Sequence, residues 1–257
     1  MQEASDEVTI EEPLEIRLIH GPAAARREQS ISVTMRTPGN DAGLATGFLF
    51  TEGIISHAGA ISKIEQLPGN NTIRISIQEQ VSIDLGKLQR HFYTSSSCGV
   101  CGKSSIDALR TVCPSPEKAD DWQVGPKIVY ALPARLRAQQ ALFDSTGGLH
   151  AAALFDTEGN FLFLREDIGR HNALDKLIGH ALDKGLTPLS SVILLLSGRA
   201  CFELIQKAAM AGIRFIAAVG APSSLAVSLA QEYGITLIGF LRDERFNVYT
   251  GAQRLKI

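Results

Sequence analysis

Apolar and polar residues alternate along the first part of the chain, which is typical of strands that bury one face. Ile31, Val33 and Met35 alternate with serine, threonine and arginine. The predicted strands in this part cover residues 15–20, 30–37, 61–67 and 73–77, and a Pro-Gly-Asn-Asn turn at 68–71 predicts that the last two form a hairpin. A helix capped by Asn40 or Asp41 is predicted to end at about Thr51.

Beyond residue 126 the pattern changes to short apolar runs that alternate with helical periodicity. The predicted strands are 151–155, 161–165, 192–196, 215–219 and 236–240, and the predicted helices are 133–140, 173–184, 202–211 and 223–233. Buried strands that alternate with helices indicate an α/β layered sheet with parallel pairs. The polar, proline-marked stretch 114–126 is the predicted boundary between an α+β domain (1–125) and an α/β domain (126–257).

Polar residues follow four of the predicted strands, at 165–172, 197–199, 220–224 and 242–245. In open α/β sheets ligands bind beyond the carboxyl ends of the strands, and helix N-termini with nearby arginines bind phosphate. His150 and His171 lie in polar, glycine-rich contexts near the same strand ends. The competing interpretation is that Ser223 only caps its helix and that the charges form surface pairs. Because four loops share the pattern, the sequence favours a phosphate site.

The composition is ordinary for a globular chain of 257 residues, of which 45% are hydrophobic and 20% are charged. A net charge of −2 argues against nucleic-acid binding by the whole chain. No apolar run approaches the roughly 20 residues that a membrane helix needs, and the first residues are too polar and acidic for a secretory signal. With four cysteines and no disulfide framework, we expect a cytoplasmic protein with no membrane partner.

The candidate chemistry lies in a serine- and glycine-rich stretch that contains Cys98, Cys101 and Lys103. This composition predicts a surface loop. An exposed thiol near a cation ionises more readily than a buried thiol, and only the thiolate is nucleophilic. Covalent carriage of a small group is therefore our first hypothesis.

Three other interpretations of the Cys-x-x-Cys pair stay open. A structural zinc site needs two further ligands, but Cys113 and Cys201 stand alone and no His-x(3–5)-His occurs. A thioredoxin-like redox pair would open a helix directly after a strand, and a stable disulfide would need an oxidising compartment. On this spacing we expect no permanently bound metal.

Motifs that carry a resemblance follow one another along nearly the whole chain. They are Met35-Arg-Thr-Pro-Gly-Asn-Asp41, Thr51-Glu-Gly-Ile-Ile55, Ser97-Cys-Gly-Val-Cys-Gly-Lys103, Thr146-Gly-Gly-Leu-His-Ala-Ala152, Arg165-Glu-Asp-Ile-Gly-Arg-His-Asn-Ala173, Ser197-Gly-Arg199, Ala221-Pro-Ser-Ser-Leu-Ala-Val227 and Gly239-Phe240. This set resembles the FdhD family of formate dehydrogenase accessory sulfurtransferases. One departure is Cys201, where the family usually has serine, and it adds a thiol beside a predicted ligand loop.

The resemblance implies a cytidine-deaminase-like layered α/β core with a smaller strand-rich α+β N-terminal domain. It also implies that sulfur passes from a cysteine desulfurase to the molybdenum bis(molybdopterin guanine dinucleotide) cofactor, which formate dehydrogenase requires. By the family pattern Cys98 carries the persulfide and Cys101 assists. The cofactor-binding residues that we expect from it are Phe240, Leu241, Arg242, Asp243, Glu244 and Arg245, with Arg199, His171 and Asp167 nearby.

Two other functions can be weighed against this one. Zinc deaminases use His-x-Glu followed by Pro-Cys-x-x-Cys. Here His150 is followed by Ala151 and Ala152, and the Cys-x-x-Cys pair precedes it, so deamination lacks its general acid/base and its metal ligands. A non-catalytic chaperone for the cofactor needs the arginine loops but not Cys98. The sequence leaves open whether Cys101 is indispensable and whether the chain forms a homodimer.

Overall fold

The structure, a computed structural model, describes residues 6–67, 69, 71–83, 122–140, 143, 146–242 and 244–256. Its strands are β1 (Glu12–His20), β2 (Arg27–Arg36), β3 (Ile61–Leu67), β4 (Thr72–Ile77), β5 (His150–Phe155), β6 (Phe161–Asp167), β7 (Ile193–Leu196), β8 (Phe215–Ala218), β9 (Thr236–Arg242) and β10 (Arg245–Thr250). Its helices are α1 (Asp41–Thr51), α2 (Pro126–Arg137), α3 (Arg170–Asp183), α4 (Phe202–Met210) and α5 (Ser224–Glu232).

The first sheet has the strand order β2-β1-β4-β3. The predicted hairpin is confirmed, because β3 and β4 pair antiparallel, whereas β1 and β4 pair parallel. Along β1 the buried residues are Leu14, Ile16, Leu18 and His20, at alternate positions as one buried face requires. The alternation in β2 from which we predicted a buried face is only partly confirmed, because Ile31 is buried but Val33 is 52% and Met35 47% exposed.

The second sheet has the order β10-β9-β8-β7-β5-β6. Strands β7, β8 and β9 are parallel, and β5 is antiparallel to both β7 and β6. Every residue of β7 and β8 is buried, as expected for strands covered on both faces. Because β6 and β7 are both antiparallel to β5, the carboxyl ends of β6, β7, β8 and β9 lie at one edge, together with the start of β5. We call this edge the ligand edge.

The two sheets share one hydrophobic core, which contains residues of β1, β4 and β7 as well as α1 and α3. Helix α1 crosses α3 at a very short distance, because glycines face each other there. A Cβ added to Gly179 would lie 1.9 Å from the carbonyl oxygen of Gly43, so no side chain fits. The division into domains 1–125 and 126–257 stays a prediction, but helix α1 of the first range packs against helices of the second.

A buried ion pair connects the same helices. Lys207 of α4 donates to Asp175 of α3 at 2.9 Å and to the hydroxyl of Thr51 of α1 at 2.8 Å. Its ammonium also lies 3.2 Å from the carboxylate of Glu52. A buried charge is tolerated when it is paired and hydrogen-bonded, so this group fixes the mutual positions of three helices.

Two elements differ from the sequence prediction. Helix α2 begins at Pro126 rather than near residue 133, so Pro133 lies inside it. Proline costs about 3 kcal/mol inside a helix, but the apolar face of Val129, Leu132 and Leu136 is buried and compensates for that cost. Strand β10 was not predicted. It forms an exposed sheet border against β9, and half of its residues are polar. None of the helices in the described ranges combines the length and apolarity of a bilayer crossing.

Candidate functional site

Backbone hydrogen bonds join three loops at the ligand edge into one surface. The amide of Gly220 donates to Gly198 at 3.0 Å, and the amide of Ser223 donates to Ala200 at 3.0 Å. The amide of Phe240 donates to Gly220 at 3.1 Å. The loops that follow β7 and β8 and the end of β9 are therefore held in register, which confirms that these strand ends meet.

Close backbone packing explains one glycine in this surface. A Cβ on Gly220 would lie 2.9 Å from the backbone nitrogen of Arg199. The Ser223 side chain accepts a hydrogen bond from the amide of Ala226 at 3.2 Å, so it caps α5, as the competing interpretation of that serine held. The side chain of Arg199 is exposed directly before α4. The edge thus offers a fixed backbone and an accessible guanidinium.

Phe240 adopts an unusual backbone conformation at this edge. Its φ is +54°, a region that bulky residues rarely occupy, and its side chain is 38% exposed. Backbone strain of this kind costs about 1–3 kcal/mol, and it persists only where the surrounding structure enforces it. An exposed aromatic ring held in this way offers a flat surface on which a base can stack.

Of the other residues in the predicted cofactor-binding stretch 240–245, some lie in the core and some lie at the surface. Leu241 is buried in the core, whereas Arg242 and Arg245 are exposed and occupy opposite positions of the β9–β10 pair. This stretch is therefore a tight hairpin rather than the open loop that we predicted. Glu244 lies in its turn with a φ of +55°. Asp243 lies outside the described residues.

Asp167 holds the loop between β6 and α3. It is fully buried, and its carboxylate lies 2.7 Å from the ammonium of Lys176. It also accepts hydrogen bonds from the amides of Gly169 at 2.8 Å and Thr37 at 3.2 Å and from the side chain of Asn172 at 3.1 Å. These partners make Asp167 a residue that positions the start of α3.

His171, at the start of α3, contacts side chains at the start of α4. Its Nε2 lies 3.3 Å from Sγ of Cys201 and 3.8 Å from a carboxylate oxygen of Glu203. Burial lowers the pKa of His171, but the thiol and the carboxylate outweigh that effect and raise it to about 9. Burial raises the pKa values of Glu203 and Cys201, but His171 outweighs it, so the pKa of Glu203 falls to about 2 and that of Cys201 is lowered. The cluster thus favours an imidazolium at His171 beside the Glu203 carboxylate.

His150 lies at the same edge, where β5 begins. Burial lowers its pKa, and the neighbouring charges of Arg170, His171 and Arg199 lower it further. A Cβ added to Gly198 would lie 3.2 Å from its ring nitrogen. Positive charge on Arg170, His171 and Arg199 therefore lies near His150 and favours its neutral form.

Comparison with known proteins agrees with this architecture. The family model described as FdhD/NarQ matches residues 10–256. The chain belongs to the FdhD/NarQ family. A relative from Streptomyces avermitilis named sulfur carrier protein FdhD is 49% identical, over 98% of this chain and 90% of the relative. A relative of the same name from Mycolicibacterium paratuberculosis is also 49% identical, over 96% of this chain and 91% of the relative.

A solved structure extends the likeness to three dimensions. It comes from Desulfotalea psychrophila and is provisionally named a formate dehydrogenase accessory protein. The TM-score is 0.75 at 25% identity, and the match covers 99% of this chain and 93% of that one. This chain therefore shares its mixed α/β fold with two sheets with that solved structure. The more specific likeness to cytidine deaminase stays a prediction.

The structure brings together some predicted residues and adds one that was missed. Arg199, His171 and Phe240 lie at the ligand edge, whereas Cys98 and Cys101 lie outside the described residues. Glu203 was not predicted, and nor was the contact between His171 and Cys201. Cys201 and Glu203 are two positions apart at the start of one helix, so the sequence alone could have indicated that they lie close together. Their proximity to a histidine some thirty positions away depends on the fold.

Proposed function

We propose that this protein is a sulfur carrier that takes persulfide sulfur from a cysteine desulfurase and delivers it to the molybdenum bis(molybdopterin guanine dinucleotide) cofactor of formate dehydrogenase. Family membership and the names of the relatives support the sulfur-carrier role. The convergence of the loops at the ligand edge is the structural observation that supports a nucleotide-bearing client. The cofactor is the substrate of this transfer and not a resident group.

The first chemical step is thiol–persulfide exchange. The Cys98 thiolate attacks the terminal sulfur of the desulfurase persulfide, and the desulfurase cysteine leaves as a thiolate. The product on this chain is Cys98–S–SH once the terminal sulfur has taken up a proton. No oxidant is consumed, because sulfur moves between two thiols at the same oxidation level.

Cys101 assists the second step. Its thiolate attacks the inner sulfur of the Cys98 persulfide and forms a disulfide, and the terminal sulfur leaves as hydrosulfide for capture by molybdenum. A cellular dithiol reductant then restores both thiols. The spacing of two residues between the cysteines suits this local attack.

The guanine nucleotide ends of the client bind at the ligand edge. Arg199 lies beside the amino end of α4, and Arg242 and Arg245 face each other across the β9–β10 hairpin. A guanidinium meets phosphate oxygens in pairs, and helix amino ends add backbone donors. The exposed ring of Phe240 supplies a stacking surface for the base.

The direct test is mass spectrometry of the full chain after incubation with a cysteine desulfurase and cysteine. We expect the mass of one added sulfur atom on the peptide that contains Cys98, and none on that peptide in Cys98→Ser. Cys113→Ser is the matched control and should keep the modification. Formate dehydrogenase maturation should be lost in Cys98→Ser and retained in the control.

One outcome favours the chaperone instead. If Cys98→Ser still binds guanosine diphosphate and still supports full maturation, the protein acts only by holding the cofactor. Loss of maturation with unchanged guanosine diphosphate affinity is the result that the sulfur-carrier mechanism requires.

A further inference from the structure

Three potential metal ligands from the starts of α3 and α4 converge at the ligand edge. The described residues place Nε2 of His171, Sγ of Cys201 and a carboxylate oxygen of Glu203 all within 4.8 Å of one another. Two of these separations are 3.3 Å and 3.8 Å. Neighbouring ligand atoms around a tetrahedral zinc ion, with bonds of about 2.0–2.3 Å, lie roughly 3.3–3.8 Å apart. The two separations from His171 therefore fit ligands of a single small ion, and the third separation is within 4.8 Å.

Hydrogen bonding accounts for only part of this arrangement. The contact of 3.3 Å from the ring nitrogen to sulfur is a normal hydrogen bond, but the contact of 3.8 Å to the carboxylate exceeds the range for N–H···O. The same nitrogen therefore faces two acidic groups and can hydrogen-bond well to one of them. A cation placed among the three atoms would interact with both.

The charges and the ligand types agree with a divalent transition metal. Neutral His171 with a Cys201 thiolate and a Glu203 carboxylate carries a charge of −2, which one divalent ion neutralises. A mixed nitrogen, sulfur and oxygen set suits zinc, whereas calcium and magnesium prefer oxygen alone. The side chains of His171 and Glu203 are 14% and 16% exposed, so an ion can reach them from solvent.

We propose that His171, Cys201 and Glu203 form a binding site for a zinc-class divalent metal ion. Three protein ligands leave a fourth position for water or an exogenous ligand, which is the pattern of open rather than purely structural zinc sites. When the ion binds, the protons that His171 and Cys201 carry leave to solvent and no electrons are transferred. The proposal does not depend on sulfur transfer, and it replaces the expectation of no bound metal that rested on sequence spacing.

Cobalt substitution tests this site in the full-length chain. Changing Cys98, Cys101 and Cys113 to serine leaves Cys201 as the only one of the four cysteines. We expect this variant to bind one equivalent of Co²⁺ with a thiolate-to-cobalt charge-transfer band in the near ultraviolet. Zn²⁺ should displace the cobalt and abolish the band.

Two further changes locate the signal. Adding Cys201→Ser should abolish the band. His171→Gln should weaken Zn²⁺ binding by at least the 10- to 100-fold that loss of an outer-shell partner typically costs, as measured by calorimetry. His57→Gln, at an exposed histidine near the first sheet, is the matched control and should bind like its parent.

The proposal is overturned if the parent variant shows no band, or if His171→Gln and His57→Gln bind Zn²⁺ equally well. Circular dichroism should first establish that each variant is folded. If the variant with three serines does not fold, the wild-type chain and Cys201→Ser are compared instead. An identical charge-transfer spectrum in those two proteins would then place the metal on other cysteines and refute the site.

Discussion

Two clusters of charged side chains in this protein use similar chemistry for different ends. The first, at the junction of α1, α3 and α4, is built around Lys207 and Asp175. The second, at the ligand edge, consists of His171, Cys201 and Glu203. In the first cluster the cation is fully surrounded by acceptors, whereas in the second two acidic groups compete for one ring nitrogen.

The difference lies in how completely each cluster is satisfied. Lys207 donates to Thr51, Glu52 and Asp175 at 2.8–3.2 Å, so its three protons have acceptors at the end of α1 and on α3. Such a group holds helices together and has no capacity left for a ligand. The edge cluster is partly exposed and its contacts are unequal. A charged side chain whose hydrogen-bond partners are complete stabilises the fold. A charged side chain whose partners are incomplete can still bind a ligand.

The largest effect should follow removal of the buried cation. In Lys207→Met, Asp175 and Glu52 lose their cation, and breaking a buried pair in this way costs about 3–5 kcal/mol of unfolding free energy. Urea denaturation followed by circular dichroism measures this loss. Lys63→Met removes an ammonium that pairs with Glu65 on the surface and should unfold at the wild-type urea concentration. Equal losses in the two variants would show that the buried pair stabilises the fold no more than a surface pair does.

A nearly equal effect is expected from the helix crossing. Gly179→Ala places a methyl group against the backbone of α1, and overpacking of this kind costs about 3 kcal/mol. Gly125→Ala is the control, because nothing lies within 4 Å of its added Cβ. Thermal unfolding of the two variants makes the comparison. A stable Gly179→Ala protein would show that α1 and α3 can separate without loss.

At the ligand edge the expected effect is on binding rather than on stability. Arg199→Ala and Arg245→Ala should each weaken guanosine diphosphate binding about tenfold to a hundredfold, because charge-assisted hydrogen bonds contribute roughly 1.5–3 kcal/mol. Calorimetry measures the affinity. Arg27→Ala, at an exposed arginine of the first sheet, should bind normally. Unchanged affinity in both edge variants would mean that these arginines form only surface pairs and that the nucleotide binds elsewhere.

The smallest effect concerns Phe240. Phe240→Gly should lower guanine nucleotide affinity by about 1 kcal/mol, or roughly fivefold, through loss of base stacking. Its unfolding free energy should change by less than that, since glycine adopts the positive φ without strain. Phe240→Tyr keeps the ring and should retain affinity. If Phe240→Tyr and Phe240→Gly weaken binding alike, the ring does not stack on a base.

Local patterns predicted the elements whose burial is regular. The continuous apolar runs of β7 and β8 predicted those strands to within a few residues, because a strand that is covered on both faces is apolar throughout. The alternation in β2 predicted the strand but not its buried face, since Val33 and Met35 are exposed. Strand β10 escaped prediction because an exposed border strand needs little apolar surface. The start of α2 was misplaced because Pro133 looks like a helix start and is instead tolerated inside.

The site was harder to predict than the fold. The loops of the ligand edge could be inferred from where polar residues follow strands. By contrast, the partnership of His171 with Cys201 and Glu203 depends on how the starts of α3 and α4 meet, which spacing rules for metal sites do not describe. Asp167 is expected near the ligand, and the structure adds that its four contacts hold the loop between β6 and α3. No local pattern distinguishes a saturated carboxylate from a free one.

The glycine contact between α1 and α3 also bears on how the chain could be divided. Helix α1 belongs to the first half of the sequence, yet it covers apolar residues of the second half such as Leu174 and Ile178. A fragment that begins at residue 126 would leave that surface uncovered and would aggregate when produced alone. Two fragments made in the same cell, however, carry complementary surfaces, with Gly43 and Gly47 of α1 opposite Gly179 of α3. If the two fragments reassemble, the protein can be used as a split reporter, in which the folded protein forms only when both fragments are present.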